Sequence, residues 1–432
     1  MNVGAALLFA YLTVAAAATP SPRADHHQHL LSPAGAAWLN RVAPPALPLP
    51  DGARALLARR IAAWNDREAL AALYLDDALL LDIDTPGWLR GPDEIARYAS
   101  ARFRAPYQML PAAVARRGEA WLVAGFYARD EGEGMRRFGR FHLELRESEP
   151  GSWRIALESP AFPGPPFETA LDAAKLIALL DDAGIGKAAV LSDAYWFDAP
   201  DTGLDADAAL ARVREENDWT ATQAARFPDR LFALCSFNPL AGHALGELER
   251  CAGSGRFVGI KLHLDSSGVD LGNDAHVARL RAVLAAANKL ELPLLIHARD
   301  RGEYGAEHAR RLVELVCTAA PDVPVQIAHL WGGSALALDA LTVYADAIAN
   351  DGMRNLWFDV SDAALVASED GKRDELAVQM RRIGFDRLLY GSDAAFEGHP
   401  GPKDAWDAFR TTMPLSKAEF ERIAKNVAPW LK

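Results

Sequence analysis

The chain has 432 residues, of which 50% are hydrophobic and 24% are charged. At about 150 residues per domain this length predicts more than one domain, and the composition is that of a globular protein rather than a disordered or polytopic membrane protein. The formal charge is −12, from 46 lysine and arginine residues against 58 aspartate and glutamate residues. Because nucleic acids and anionic lipid surfaces are also negative, we expect neither as a partner.

The first element is an apolar run at residues 3–18, VGAALLFAYLTVAAAA, which ends in three alanines before Thr19-Pro20. An apolar run that closes on small residues is typical of a secretory signal peptide, and this one is shorter than the about 20 residues of a membrane span. Only the α-amino group supplies positive charge before the run, which leaves a buried strand or helix as the alternative. We expect residues 1–18 to be a signal peptide and the mature protein to be exported, periplasmic or secreted, without a membrane span.

The next run, ADHHQHLL at residues 24–31, carries two histidines that are two positions apart, His27 and His29. On a strand such residues point to the same face, so the two imidazoles can share one cation. His26 faces the other way, and we expect it to pack in the core or on the surface.

Residues 46–163 have a different pattern, in which amphipathic helices precede strand-like runs, and this order favours an α+β domain inserted after the first strand. Within it GWLRGPDEIARYASARF, EAWLVAGFY and GRFHLELRESEPGSWRIA resemble the NTF2-like (SnoaL-like) family of small domains, in which a curved sheet wraps around a pocket. Such an insert could cap a neighbouring site or form a homodimer interface. The predicted helices lie near 51–72 and 92–103, and the predicted strands at 119–129, 136–147 and 152–158.

From about residue 187 short apolar runs alternate with amphipathic stretches, as in βα units. Together with the run at 24–31 they give eight strands, which predicts an α/β fold, a closed (β/α)8 TIM barrel formed by residues 19–45 and 164–432. Successive strand ends at His297, His329, Ser361 and Asp393 are 32 residues apart. The seven later runs are 187–193, 231–237, 257–263, 292–297, 323–329, 355–361 and 386–393.

Several strand ends carry side chains that bind metals. His297, His329 and Asp393 each close a strand, at the end of the barrel where such enzymes hold their catalytic groups. Imidazoles and one carboxylate at one barrel mouth suit zinc or a similar divalent ion.

These motifs occur in the order and at the spacing of one known group and resemble the amidohydrolase superfamily, in its amidohydrolase-related (family 2) branch. The motifs that carry the resemblance are Asp25-x-His27-x-His29, His297, His329 and Gly391-Ser392-Asp393. The resemblance implies one divalent metal, zinc foremost, held by His27, His29, His297 and Asp393. His329 would lie beside the metal as an acid, base or electrostatic partner, or as a further ligand.

Two positions at the fourth strand end, Lys261 and His263, share a face and are expected near the site. Lys261 has two open roles: an ammonium group that neutralises Asp393 or a substrate carboxylate, which we expect, or a carbamylated lysine that bridges two metals. After His329, the glycines of Gly332-Gly333 form either a substrate wall or a plain turn. Acidic residues near other strand ends are expected to be solvated: Asp193, Asp359 and Asp362.

The three cysteines, Cys235, Cys251 and Cys317, allow at most one disulfide. None has the spacing of a thiolate zinc site, and we expect buried free thiols.

The resemblance implies a metal-dependent hydrolase that acts on a small organic substrate, an ester, lactone or amide, through a water activated by the metal. Asp393 would ligate or deprotonate this water, His329 would stabilise the oxyanion or protonate the leaving group, and Lys261 would orient an anionic part of the substrate. Decarboxylases and hydratases use the same ligands, so a lyase is the alternative. A third hypothesis is a non-catalytic, exported ligand-binding protein.

Overall fold

A computed structural model describes residues 20–431 except 41–48, 83–84, 86, 103–105, 131–134, 162–168, 201, 300–303, 334–335, 351–352 and 395–400. The predicted signal peptide lies outside the described residues. Residues 20–32 and 171–431 pack as one compact unit, and residues 33–170 pack as a second. The domain limits at 46 and 163 stay a prediction.

The strands and helices follow one another in chain order. The strands are β1 (Ala24–His29), β2 (Tyr74–Leu80), β3 (Leu89–Arg90), β4 (Gln108–Arg117), β5 (Ala120–Asp130), β6 (Met135–Glu149), β7 (Ser152–Ala161), β8 (Lys187–Leu191), β9 (Leu231–Ser236), β10 (Gly259–His263), β11 (Leu294–His297), β12 (Val325–Ile327), β13 (Leu356–Asp359) and β14 (Leu388–Leu389). The α-helices are α1 (Pro33–Asn40), α2 (Asp51–Ala62), α3 (Arg67–Ala71), α4 (Pro92–Arg102), α5 (Ala173–Ala183), α6 (Ala206–Ala224), α7 (Ala244–Ser254), α8 (Asp274–Lys289), α9 (Ala306–Ala319), α10 (Leu338–Asn350), α11 (Ala363–Glu369), α12 (Arg373–Ile383), α13 (Pro402–Thr412) and α14 (Lys417–Lys425).

The first unit is an eight-stranded parallel sheet in the order β1-β8-β9-β10-β11-β12-β13-β14. Its two end strands also meet, because Gln28 pairs with Ala394 in parallel and the His26 N–H donates to the Tyr390 carbonyl at 2.8 Å. The first and last strands therefore close the sheet, and the predicted (β/α)8 barrel is confirmed. The carboxyl ends of all eight parallel strands lie at one mouth of the barrel, so the residues that end the strands in the sequence converge there.

The opposite end of the barrel is filled by the C-terminus. Leu431 is fully buried with Ala24, Leu191, Leu234 and Leu295, which are side chains of four barrel strands. Such apolar layers make the inside of a barrel a packed core rather than a channel. The strand ends at the other mouth are thereby held on a rigid frame.

The second unit has a six-stranded sheet in the order β3-β2-β7-β6-β5-β4, in which all pairs are antiparallel except β2 with β7. Both predicted helical regions and the predicted meander of β5, β6 and β7 are present. Three further strands, β2, β3 and β4, were not predicted. Strand β2 carries the paired charges Asp76 and Asp77, while β4 is an edge strand that contains Pro111 at a register shift, and both features weaken an alternating pattern.

The core of the second unit contains a buried ion pair. The Arg60 guanidinium donates to Glu158 Oε1 at 2.9 Å and to Tyr107 Oη at 2.6 Å. Tyr127 donates to the same Oε1 at 2.9 Å, and Tyr74 donates to Oε2. The charges of Arg60 and Glu158 are thus compensated inside this unit, as buried charges require.

The expectation of buried free thiols is wrong. Cys235 of β9 and Cys251 of α7 form a disulfide, and Cys317 is an exposed thiol. The two bonded cysteines are 16 residues apart, which is the distance from a strand to the helix that packs back on it. The spacing alone did not show that both side chains lie on the facing surfaces of these elements.

Among the described residues, no helix is both long and apolar enough to cross a membrane.

Candidate metal centre

The centre of the site is the Asp393 carboxylate. Its Oδ1 lies 3.1 Å from His27 Nε2 and 3.2 Å from His29 Nε2. The two histidines alternate with Gln28 on β1, so both rings reach the barrel mouth, and Asp393 follows β14. The structure therefore brings together three of the four predicted metal ligands.

Two carboxylates behind the histidines were missed as functional residues. Asp359 Oδ2 lies 3.1 Å from His27 Nδ1, and Asp193 Oδ1 lies 2.7 Å from His29 Nδ1. Both carboxylates are fully buried, so the expectation that they are solvated is wrong. Their positions at the ends of β13 and β8 were the available signal, because side chains at strand ends of a barrel face its mouth.

These two contacts determine which ring nitrogen faces the site. With Nδ1 directed at a carboxylate, each imidazole turns Nε2 towards Asp393, where this nitrogen donates a hydrogen bond when protonated and offers a lone pair when neutral. A carboxylate, a histidine and a metal in series is the usual arrangement of metal-binding histidines. His27 and His29 each have the carboxylate–histidine part of this arrangement.

The electrostatics of the site favour a positive charge between these groups. Burial lowers the pKa of His27, but the charges of Asp393 and Asp359 outweigh it and raise this pKa to about 9. The pKa of His29 is also raised, against burial, by Asp193 and Asp393. Burial raises the pKa of Asp393, yet His27 and the hydrogen bonds from both histidines bring it well below its usual range. A proton or a metal ion is thus stabilised at the same place.

Asp359 also holds the rest of the mouth in position. Its Oδ2 accepts from Gln326 Nε2 at 2.7 Å, and its Oδ1 accepts from the His329 backbone N–H at 3.1 Å and from the Ser361 hydroxyl. Burial raises the pKa of Asp359, but the His27 charge and hydrogen bond lower it well below the usual range, so the group stays ionised.

His329 lies beside the centre with a backbone φ of +53°. This left-handed conformation is uncommon outside glycine and is typical of functional sites, where the fold holds a side chain in one direction. Its Nε2 lies 3.9 Å from Asp393 Oδ2, while its Nδ1 is 3.0 Å from Ser361 Oγ. His329 can serve as a ligand, since one ligand atom each of His27, His329 and Asp393 lie within 4.8 Å of one another, or as an acid or base.

Among the four predicted ligands, His297 is the one that lies away from the Asp393 carboxylate, next to His263. Its Nδ1 lies 2.6 Å from His263 Nε2, because β10 and β11 pair His263 with His297 in register. Its ring centroid is 5.2 Å from that of His329, and its buried Nε2 has no hydrogen-bond partner among the described residues. Burial lowers the pKa of His297 well below the usual range, so this ring is neutral. An orphaned, neutral imidazole nitrogen at this mouth is compatible with a metal ligand.

Lys261 is 1% exposed, and its Nζ lies 3.3 Å from His27 Nε2. Burial lowers the pKa of this lysine. The structure therefore places the predicted catalytic lysine against His27, a predicted metal ligand.

His26 has the packing role that the alternation predicted. Its Nδ1 donates to the Tyr390 carbonyl at 2.9 Å, and its Nε2 accepts from the Ala428 N–H at 3.0 Å. Asp25 joins the first and last strands, because it accepts from the Ser392 N–H at 3.0 Å and from the Ser392 hydroxyl at 2.5 Å. These contacts fix β1 against the segment that carries Asp393.

The donor set fits a divalent metal. Two imidazole nitrogens and a carboxylate oxygen converge, and a third imidazole nitrogen, that of His297, lacks a partner among the described residues. Imidazoles with a carboxylate suit zinc, manganese and iron, and the geometry does not choose among these ions.

The family model described as amidohydrolase matches residues 24–428 of the chain. No curated protein matches the sequence. The crystal structure of 2,6-dihydroxybenzoate decarboxylase from Rhizobium is 21% identical, with a TM-score of 0.42 over 58% of this chain and 84% of that chain. The 5-carboxyvanillate decarboxylase from Sphingomonas paucimobilis is 17% identical, with a TM-score of 0.40 over 57% of this chain and 79% of that chain. A ketosteroid isomerase-like protein from Erwinia carotovora atroseptica is 22% identical, with a TM-score of 0.22 over 26% of this chain and 94% of that chain.

Proposed function

The chain belongs to the amidohydrolase family, and from this premise we propose that it is a metal-dependent hydrolase of a small organic ester, lactone or amide. One observation carries the proposal: two carboxylate–histidine pairs direct His27 Nε2 and His29 Nε2 at the same oxygen of Asp393. We assign the metal to His27, His29, His297 and Asp393, with zinc as the first choice.

When bound, a divalent metal would lower the pKa of a coordinated water towards neutrality and polarise a substrate carbonyl. Asp393 is ionised, and its side chain is 14% exposed at the mouth, so it can accept a proton from the attacking water. The Nε2 of His329 lies 3.9 Å from Asp393 Oδ2. After a small movement of its side chain, His329 can take that proton from Asp393 and donate it to a leaving group. The Lys261 amino group lies beside His27, and in its charged form it can stabilise negative charge on the substrate oxygen.

Metal analysis tests the site. We expect about one ion per chain by inductively coupled plasma mass spectrometry after reconstitution, and loss of the ion in His27→Ala. His276→Ala is the matched control, because His276 Nδ1 accepts from the Asp270 N–H and the residue lies on α8 outside the site. Metal-free wild-type protein after reconstitution would contradict the proposal. Two ions per chain would instead favour a carbamylated Lys261.

Product analysis separates the hydrolase from the alternative lyase. In water labelled with 18O, a hydrolase incorporates the label into a cleaved product, whereas a decarboxylase releases CO2 from a carboxylic acid. A screen of esters, lactones, amides and aromatic or unsaturated acids with both readouts decides between them. Binding of a ligand without turnover, unaffected by a chelator, would favour a non-catalytic binding protein.

We also propose that the second unit is an NTF2-like domain. Helices α2, α3 and α4 together with a six-stranded sheet support this assignment. A crystal structure of the mature protein in which helices and sheet enclose no pocket would contradict it.

We propose that residues 1–18 are removed on export. The Cys235–Cys251 disulfide supports this, because disulfides persist mainly in oxidising compartments. N-terminal sequencing of the exported protein tests the cleavage site, which we place after Ala18.

A further inference from the structure

Arg299 follows His297 by two residues, in the loop after β11 at the barrel mouth. It is half-buried, yet its guanidinium has no hydrogen bond or ion pair with any described residue. By contrast, Arg250 of α7 donates to Glu247 and to Asp218 at 2.7 and 2.9 Å. A planar cation with five donors and no partner at the mouth of a site is an open position for an anion.

The loop after His329 is shaped around this arginine. The Arg299 N–H donates to the Gly332 carbonyl at 2.7 Å, which joins the loops after β11 and β12. A Cβ on Gly333 would lie 2.6 Å from Arg299 Cβ and 3.0 Å from its Cδ, and a Cβ on Gly332 would lie 2.5 Å from Ala298 Cβ. The two glycines therefore make room for the stem of Arg299 and hold it across the loop.

Lys261 is poorly placed for an outer part of a substrate. It is 1% exposed and its ammonium nitrogen lies 3.3 Å from His27 Nε2, within the reacting centre. Among the described residues of the loops after β11 and β12, Arg299 is the cation that remains for a substrate group farther from the bond that reacts.

We infer that Arg299 is a specificity residue that binds a carboxylate of the substrate, held in place by Gly332 and Gly333. The inference rests on the proposed function and narrows its substrate to one that carries a carboxylate away from the reacting bond. The fork of a guanidinium matches the two oxygens of a carboxylate, and a fixed stem reduces the side-chain entropy lost on binding.

Two probes that differ by one carboxylate, benzoate and isophthalate, test this by isothermal titration calorimetry on the zinc-loaded protein. We expect the wild type to bind isophthalate more tightly than benzoate, and Arg299→Gln to lose about tenfold or more of its isophthalate affinity, as for a charged hydrogen bond, with benzoate unchanged. Arg299→Lys should keep part of the preference. Gly333→Ala should also reduce it, because the added Cβ displaces the arginine stem without removing the charge.

Arg310→Gln is the matched control, since it removes the same charge from an exposed position on α9. It should leave both affinities unchanged. An equal isophthalate-to-benzoate ratio in the wild type and in Arg299→Gln, or no binding of either probe by wild type of confirmed zinc content, would overturn the assignment of Arg299. Failure of the wild type to take up metal would instead count against the proposed function, and metal analysis of the same samples distinguishes the two results.

Discussion

At the scale of single residues, the geometry of this site depends on two buried carboxylates that lie behind its histidines. Asp359 is hydrogen-bonded to His27 Nδ1 and Asp193 lies 2.7 Å from His29 Nδ1, and this leaves both Nε2 atoms directed at Asp393. Each carboxylate also adds negative charge that stabilises a bound cation in a buried place, where charges interact more strongly than in water. Removing one charge should therefore weaken metal binding without removing a ligand.

Asp359→Asn tests this. We expect a 10–100-fold lower affinity for zinc, roughly the effect of losing such an outer partner, in a chain that remains folded because the amide oxygen can still accept hydrogen bonds. Competition with a chromophoric chelator measures the affinity, and circular dichroism monitors the fold.

The control is Asp346→Asn, which removes a carboxylate from an exposed pair with Arg382. It should not change the affinity for zinc. Equal affinities in wild type and Asp359→Asn would show that Asp359 only packs the barrel mouth.

Gly391 makes a second prediction at this scale. A Cβ at this position would lie 2.7 Å from His27 Cβ and 3.2 Å from Asp359 Cβ, closer than side-chain carbons approach one another. We expect Gly391→Ala to lower the free energy of unfolding by about 1–3 kcal/mol through overpacking and to lower the metal content by displacing His27. Chemical denaturation and metal analysis check the two effects.

Gly246→Ala serves as the reference, because a Cβ on this helical glycine meets no atom within 4 Å. Alanine there should be neutral or stabilising, as alanine is a better helix former than glycine. A Gly391→Ala protein with wild-type stability and full metal content would contradict the steric argument.

The sequence was sufficient to predict the site residues that end strands, but it was insufficient to predict the carboxylates that lie behind them. The spacing of His27 with His29, and the 32-residue steps between later strand ends, predicted side chains that the structure brings to one mouth. Asp359 and Asp193 were indistinguishable from solvated loop carboxylates, because burial and the choice of ring nitrogen arise only from tertiary packing. The same holds for Arg299, because the glycines that make room for its side chain belong to another loop.

At the scale of elements, the barrel was easier to predict than the second unit. Parallel strands buried on both faces appear in a sequence as continuous apolar runs, and such runs mark the seven later barrel strands, whereas β1 (ADHHQH) was recognised by its histidines. In the second unit β2 and β4 have one exposed face and include charges or proline, so their patterns are weak. Tertiary pairing with β7 and β5, rather than local preference, makes them strands.

The last turn of the chain is an element whose contribution can be measured. Leu431 is fully buried among barrel side chains, and its carbonyl accepts from Lys187 Nζ at 3.0 Å. We expect Leu431→Ala to cost about 2–5 kcal/mol of unfolding free energy, because it removes buried methyl groups and leaves a cavity. Urea denaturation measures this cost.

Leu245→Ala is the control, since Leu245 is 44% exposed. It should change stability by no more than about 0.5 kcal/mol. Metal content should be unaffected in both variants, because the metal site lies at the other mouth of the barrel. A cost below about 1 kcal/mol for Leu431→Ala would mean that the C-terminus does not close the barrel core.

At the scale of the whole molecule, the disulfide connects the fold with the proposed export of the protein. The bond between Cys235 and Cys251 closes a loop across β9 and α7, and Cys317 is the free thiol. Closing a loop of this length stabilises a protein by about 3 kcal/mol, chiefly by restricting the unfolded chain. The apolar run at residues 3–18 and this disulfide both favour the proposed export.

We therefore predict that protein recovered from an oxidising compartment has one titratable thiol in denaturant, and three after reduction. Replacing both Cys235 and Cys251 by alanine should lower the unfolding free energy by about 3 kcal/mol or more, because the variant also loses the buried sulfur contacts. Cys317→Ala should remove the single thiol and leave stability unchanged, since its side chain is exposed. Three thiols in the exported, unreduced protein would contradict the disulfide and remove its support for an oxidising compartment, whereas one thiol there and three in a chain retained in the cytosol would tie the covalent structure to export.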